Sequence, residues 1–119
     1  MTATLAYAFA LTAVIAIMAG QFLFKKVALA IAGQPLSQAV RNPEALLYFM
    51  LAAAIYGAAT IFWVLALRQL PLSRAYMLMA IGFVLVPIVS HFSYGEPMSA
   101  RFFVGAALIA VGVVVTNTS

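Results

Sequence analysis

Charged residues divide the chain into four apolar stretches. No Asp, Glu, Lys or Arg interrupts residues 3–24, 46–67, 75–92 or 102–116. An α-helix rises about 1.5 Å per residue and the hydrocarbon of a bilayer is about 30 Å thick, so about 20 apolar residues cross it. The pattern therefore predicts an all-α protein of four transmembrane helices over those ranges. The fourth is short and crosses only if its flanks enter the headgroups. Between the first two runs lies the long "KKVALAIAGQPLSQAVRNPEA", in which "VALAIA" either extends the first helix or lies in the interface. The other connections, "RQLPLSR" and "SYGEPMSAR", are tight, and each holds a proline that ends or starts a helix. Short loops make neighbouring helices antiparallel, so both termini fall on one side. No linker or low-complexity tract separates a second domain, and residues 1–119 are expected to form one.

Composition changes the picture only by confirming the solvent. The chain has 119 residues, is 67% hydrophobic and has 7% charged residues, where a soluble domain has about a quarter. The first run is too long for a secretory signal and lacks a basic n-region. Cysteine is absent, and one histidine with two acids is too few for a metal cage; no cofactor is expected. The net charge of +4 comes from six basic residues that flank the apolar runs, which suits membrane anchoring rather than nucleic acid. Lys25, Lys26, Arg41 and Arg101 share a side, opposite Arg68 and Arg74. That excess favours cytoplasmic first and third loops with both termini outside. It also leaves room for insertion both ways, or for a partner of opposite bias.

Small residues point to helix packing. Gly105 and Gly112 lie seven apart in "VGAALIAVGVV", on one face, where they serve either a contact within the chain or one between subunits. Ala53 and Gly57 form a second small pair, in the second helix. Four short helices of Leu, Ala and Val do not easily enclose a polar path. Two copies could form one between them, and inverted copies would be related by an axis in the membrane plane.

The candidate chemistry is sparse. With no carboxylate inside a helix, the usual proton-coupling device of a small exporter is missing. Glu44 and Glu96 stand at helix starts, suited to the helix dipole. Lys25 and Lys26 at one membrane face, and Arg68 and Arg74 at the other, either snorkel to headgroups or bind phosphate. Gln21 lies one helical turn before Lys25 and can serve a sugar hydroxyl beside a lysine-bound phosphate. Tyr76 opens the third helix with an amphipathic ring, and His91 follows Ser90 at that helix's end. No nucleophile–base pair or Gly-rich phosphate loop is present, so an enzyme is not expected.

The order of "GQFLFK", "LRQLPLSRAY", "YGEP" and "GAALIAVGVV" resembles the four-helix branch of the drug/metabolite transporter superfamily over nearly the whole chain. Within it, small multidrug resistance exporters have a fourth-helix pattern that falls here on Gly105, Leu108, Ile109 and Gly112. There it helps build an antiparallel dimer. Those exporters carry a first-helix glutamate for protons and cationic drugs, and a third-helix tryptophan. By spacing these positions are Ile17 and Met79 here. The small flippase subunits for aminoarabinose-phosphoundecaprenol are closer. They match Ala19, Gly20, Gln21 and Lys25, then Glu96, Pro97, Ser99 and Arg101, and they too lack the glutamate.

This resemblance implies flipping of a polyprenyl-phosphate-linked sugar or related anionic lipid across a bacterial inner membrane, by a homodimer or a heterodimer with a similar small subunit. Lys25, Lys26, Arg68 and Arg74 would hold the phosphate; Gln21, Tyr76, His91 and Glu96 would line the path. A small-molecule exporter and a non-transporting accessory subunit are the alternatives.

Overall fold

A computed structural model describes residues 2–118, among which six helices and no strand are found. Helix α1 spans Ala3–Ala30, α2 Leu36–Ala39, α3 Pro43–Leu67, α4 Leu72–Leu78, α5 Ile81–Tyr94 and α6 Ala100–Thr118. Helices α4 and α5 together make one span, Leu72–Tyr94, so four spans are long and apolar enough to cross a membrane. This is a multi-pass membrane protein.

Every span runs beyond its apolar stretch, because hydropathy marks the oil and capping marks the helix. Helix α1 starts where the Thr2 hydroxyl accepts from the Leu5 amide at 3.2 Å. It continues through both lysines, which are good helix formers, and through "VALA". Its 28 residues make it about 42 Å long, against the 3–24 expected. Gly33, at φ 78°, turns the chain beyond it. Helix α3 starts at 43 rather than 46 because Asn42 caps it, accepting from the Glu44 and Ala45 amides, with Pro43 in its first turn. The same asparagine donates to the Ala30 carbonyl at 3.1 Å, pinning the end of α1 to the start of α3. Glu44 sits in the first turn of α3, as expected of a residue facing the helix dipole. At α6 the expectation for Glu96 fails. Ser99 caps that helix, its hydroxyl accepting from the Phe102 amide at 3.2 Å, and Glu96 stays in the preceding loop.

The third span covers 72–94 rather than 75–92, and its α-helical hydrogen bonding is interrupted at its middle. The amides of Met79, Ala80, Gly82 and Phe83 bond the carbonyls three residues back at 3.0–3.1 Å. Pro87 then removes the amide that would have reached the Phe83 carbonyl. Loosened backbone at membrane depth is tolerated where it lines a cavity, and this one does.

Helices α1 and α3 pack along their length through small residues. Ala6, Ala13 and Gly20 of α1 are buried, as are Ala45, Ala52, Ala59 and Ala66 of α3. Spacing by seven keeps such a stripe on one line of each helix, as in a coiled-coil seam. In lipid, close approach and dispersion contacts drive this association. The packing residues are therefore not the expected Ala53 and Gly57. Both are exposed, and a Cβ added at Gly57 would meet nothing within 4 Å. The difference is one of register. Ala53 follows Ala52 by about 100° of helix rotation, enough to turn it from partner to lipid. Helix α6 leans on α4 and α5 with Ala106 as its only buried residue among those described. The result is a slab of 49 × 37 × 19 Å.

Candidate functional site

Two features stand out: an apolar cleft at membrane depth and a polar cluster at its rim. The cleft, of about 560 Å³, lies between α1 and the α4–α5 span. Val14, Ile17, Met18 and Gln21 form one wall. Tyr76 and the loosened turn through Met79, Gly82 and Phe83 form the other, with Pro87 below them. No carboxylate and no ammonium line it. Both positions at which the chain departs from the multidrug pattern, Ile17 and Met79, are in these walls, beside Gln21 and Tyr76. Tyr76 stands in the second turn of α4 rather than opening the span, since Pro71 precedes the first turn.

Gln21 is oriented from the opposite side. Its Nε2 donates to the Tyr56 hydroxyl of α3 at 2.5 Å. The Tyr56 ring stacks on Phe24, with centroids 5.2 Å apart and planes inclined by 26°. It also lies over Gly20, where a Cβ would come within 2.8 Å of ring atom Cδ2. A larger residue at position 20 would have to displace this ring. No local spacing could have singled out Tyr56, because its partner Gln21 is 35 residues away.

At the rim, one helical turn past Gln21, Lys25 Nζ lies 3.4 Å from Glu96 Oε1. The Lys25 ammonium is also 5.9 Å from the centre of the Tyr94 ring, whose hydroxyl donates to the Phe22 carbonyl at 3.5 Å. His91 Nδ1 is 2.6 Å from the Glu96 carbonyl oxygen. A carbonyl only accepts, so Nδ1 carries the proton in this arrangement. Lys26 faces elsewhere, its ammonium 5.2 Å from the centre of the Tyr48 ring. The two lysines thus have different partners: a carboxylate for Lys25, an aromatic face for Lys26. Spacing alone could not pair Lys25 with a residue 71 positions away; Glu96 was legible only as an acid near a helix start and, through the resemblance, as a residue of the path.

The structure brings Lys25, His91 and Glu96 together at one rim and sets Gln21 and Tyr76 in the cleft below. It separates Arg68 and Arg74 from them, at the other membrane face. Arg68 caps the C-terminus of α3 and is exposed; a cation there complements the helix dipole. Arg74, in α4, is half-buried and engaged in an interaction of its own. Helix α6 presents Gly105 and Gly112 without a neighbour: a Cβ at either would meet nothing within 4 Å. Leu108 is 68% exposed and Ile109 37%. Most of that pattern is turned away from the rest of the chain, with Ile109 its most covered member.

The profile of the EamA-like transporter family matches residues 2–118. Among curated proteins, the chain is 41% identical over 66 residues to the probable 4-amino-4-deoxy-L-arabinose-phosphoundecaprenol flippase subunit ArnE of Pectobacterium atrosepticum. That alignment covers 56% of this chain and 58% of the relative. It is 33% identical over 78 residues to the same probable subunit of Serratia proteamaculans, covering 66% and 68%. With that of Salmonella paratyphi B, it is 31% identical over 88 residues, covering 74% and 79%. The first of these alignments spans less than two thirds of the relative's length. No solved structure matches the chain.

Proposed function

This chain belongs to the EamA-like transporter family, and from that premise we propose that it moves a polyprenyl-phosphate-linked sugar, or a related anionic lipid, across the bacterial inner membrane. The observation that carries this reading is the content of the cleft. It holds an amide, a phenol and thioethers but no carboxylate, and Ile17 stands in its wall. A cation exporter needs a negative charge there; a phosphate is repelled by one. The similarity to flippase subunits of lipid-linked aminoarabinose supports the same substrate chemistry.

The proposed path follows the physics of a charged headgroup on an oily tail. The tail stays in lipid, in contact with the open side of the cleft. The headgroup crosses beside Gln21 and Tyr76, whose amide and hydroxyl replace water at sugar hydroxyls. An unpaired phosphate in hydrocarbon costs many kcal/mol, so a cation must meet it at each end. Lys25 receives it at one rim, with His91 and Glu96 nearby and Lys26 as a second cation on the neighbouring face, and Arg68 or Arg74 at the other. A second subunit closes the path, joined through the unpartnered face of Gly105, Leu108, Ile109 and Gly112. That second subunit is a further copy or a similar small chain. The process needs no bond making and no cofactor.

The test is transbilayer movement of a fluorescent undecaprenyl-phosphate sugar in liposomes, read with an external quencher. Wild-type protein should expose the protected pool, and Lys25→Ala should not, while inserting and associating normally. Undiminished flipping by Lys25→Ala would remove the phosphate role from this lysine.

A further inference from the structure

The proposed substrate phosphate needs Lys25, yet that ammonium already faces an anion. The Lys25–Glu96 pair is neutral as a unit, so an arriving phosphate must displace the carboxylate to pair with this ammonium. We propose that Glu96 is a tethered competitor for the substrate phosphate, holding Lys25 while the site is empty and yielding it when a phosphate arrives. This rests on the reading that Lys25 binds phosphate.

Three features support a carboxylate built to let go. First, the contact is loose: 3.4 Å between Nζ and Oε1, with the two side chains 42% and 46% exposed. Pairs so exposed are only weakly stabilising and open easily. Second, Glu96 belongs to no helix. It follows Gly95, which is left-handed at φ 66° and ends α5, and it precedes Ser99, which caps α6. Third, its main chain is held independently of its side chain. The His91 imidazole donates to the Glu96 carbonyl at 2.6 Å, so the carboxylate can swing away without the loop following. Lys26 has no such rival, since it rests on the Tyr48 ring. It keeps the rim positive during the exchange. The same tether explains how the phosphate could leave. A carboxylate that remains within reach re-occupies Lys25 and shortens the residence of the lipid there.

The experiment measures binding of sugar-free undecaprenyl phosphate to the purified protein in phosphatidylcholine nanodiscs. Glu96→Gln should tighten binding about two- to fivefold, the range for relief of an exposed ion pair. Glu96→Asp, which retains the charge, should stay closer to wild type. On a Lys25→Ala background, Glu96→Gln should bring no gain. In flipping assays Glu96→Gln should lower the apparent KM without raising the maximal rate, because release loses its competitor. A merely structural salt bridge would weaken binding when broken, so the sign of the effect decides. Weaker or unchanged binding by Glu96→Gln, with Lys25→Ala still defective, would overturn the competitor and leave the phosphate site standing. An equal gain in the Lys25→Ala background would also overturn it, by showing general repulsion instead. Wild-type binding by Lys25→Ala would overturn the underlying phosphate reading itself.

Discussion

Gly20→Ala is a one-methyl change whose cost can be worked from its neighbours. The new Cβ would come within 2.8 Å of Tyr56 Cδ2 and would touch two further ring atoms. Such contact is not sustained, so the ring must move, α1 and α3 must part, or both. Forcing a methyl into a packed site costs about 1–3 kcal/mol. A displaced ring also strains its stack on Phe24, worth about 0.5–1.5 kcal/mol in well-formed pairs. The Gln21–Tyr56 hydrogen bond is exposed to the same shift, and such bonds inside membrane proteins average about 0.6 kcal/mol. These terms overlap, and a net loss of about 2 kcal/mol is expected. The assay is reversible unfolding in mixed detergent–SDS micelles, run as a cycle of wild type, Gly20→Ala, Tyr56→Ala and the double variant. With the ring gone the methyl has nothing to strike. Gly20→Ala should then be nearly free on the Tyr56→Ala background, giving a coupling of roughly the full single-variant cost. Additive losses would refute the reasoning, since they would mean that residue 20 requires glycine for some reason unconnected with the ring.

Other perturbations test other parts of the structure. Ala59→Leu should destabilise by about 1–3 kcal/mol, while Ala53→Leu, facing lipid, should stay within about 0.5 kcal/mol of wild type; the same unfolding assay checks the packing register. Asn42→Ala removes the α3 cap and the bond to Ala30, and should cost about 1 kcal/mol with faster amide exchange at both helix ends. Ile17→Glu should cut anionic-lipid flipping at least tenfold and create binding of a lipophilic cation such as tetraphenylphosphonium, followed by equilibrium dialysis. Gly112→Leu should weaken association between subunits in single-molecule photobleaching counts while leaving the protomer's stability unchanged, because the position has no neighbour within the chain.

The spans were legible in the sequence because their signal is local: a window of apolar residues is enough to identify a membrane crossing. Two of their limits, Ala3 and Leu67, were legible as well; the others were not, because Asn42 and Ser99 decide them by capping, and the Lys25–Lys26 pair reads as an end while being helical. The packing stripe was missed for a related reason. In an alanine-rich helix many spacings of small residues are present, and only the neighbouring helix selects Ala45, Ala52, Ala59 and Ala66 over Ala53 and Gly57. Gln21 and Tyr76 were singled out by residue type and by the family resemblance, and both line the cleft. The links from Gln21 to Tyr56 and from Lys25 to Glu96 were not legible, since each joins residues far apart in sequence. Chemistry by residue type was readable; chemistry by pairing was not.

The alanine seam between α1 and α3 has a mechanical meaning. Two helices in contact along their length, and pinned together by Asn42, form the stiff half of the molecule. The α4–α6 half is held by shallower contacts and carries the three-residue hydrogen bonds and Pro87 in its middle. Compliance is therefore concentrated on one side of the cleft. Any change in its width is expected to move the wall bearing Tyr76 against a wall bearing Gln21 that stays fixed.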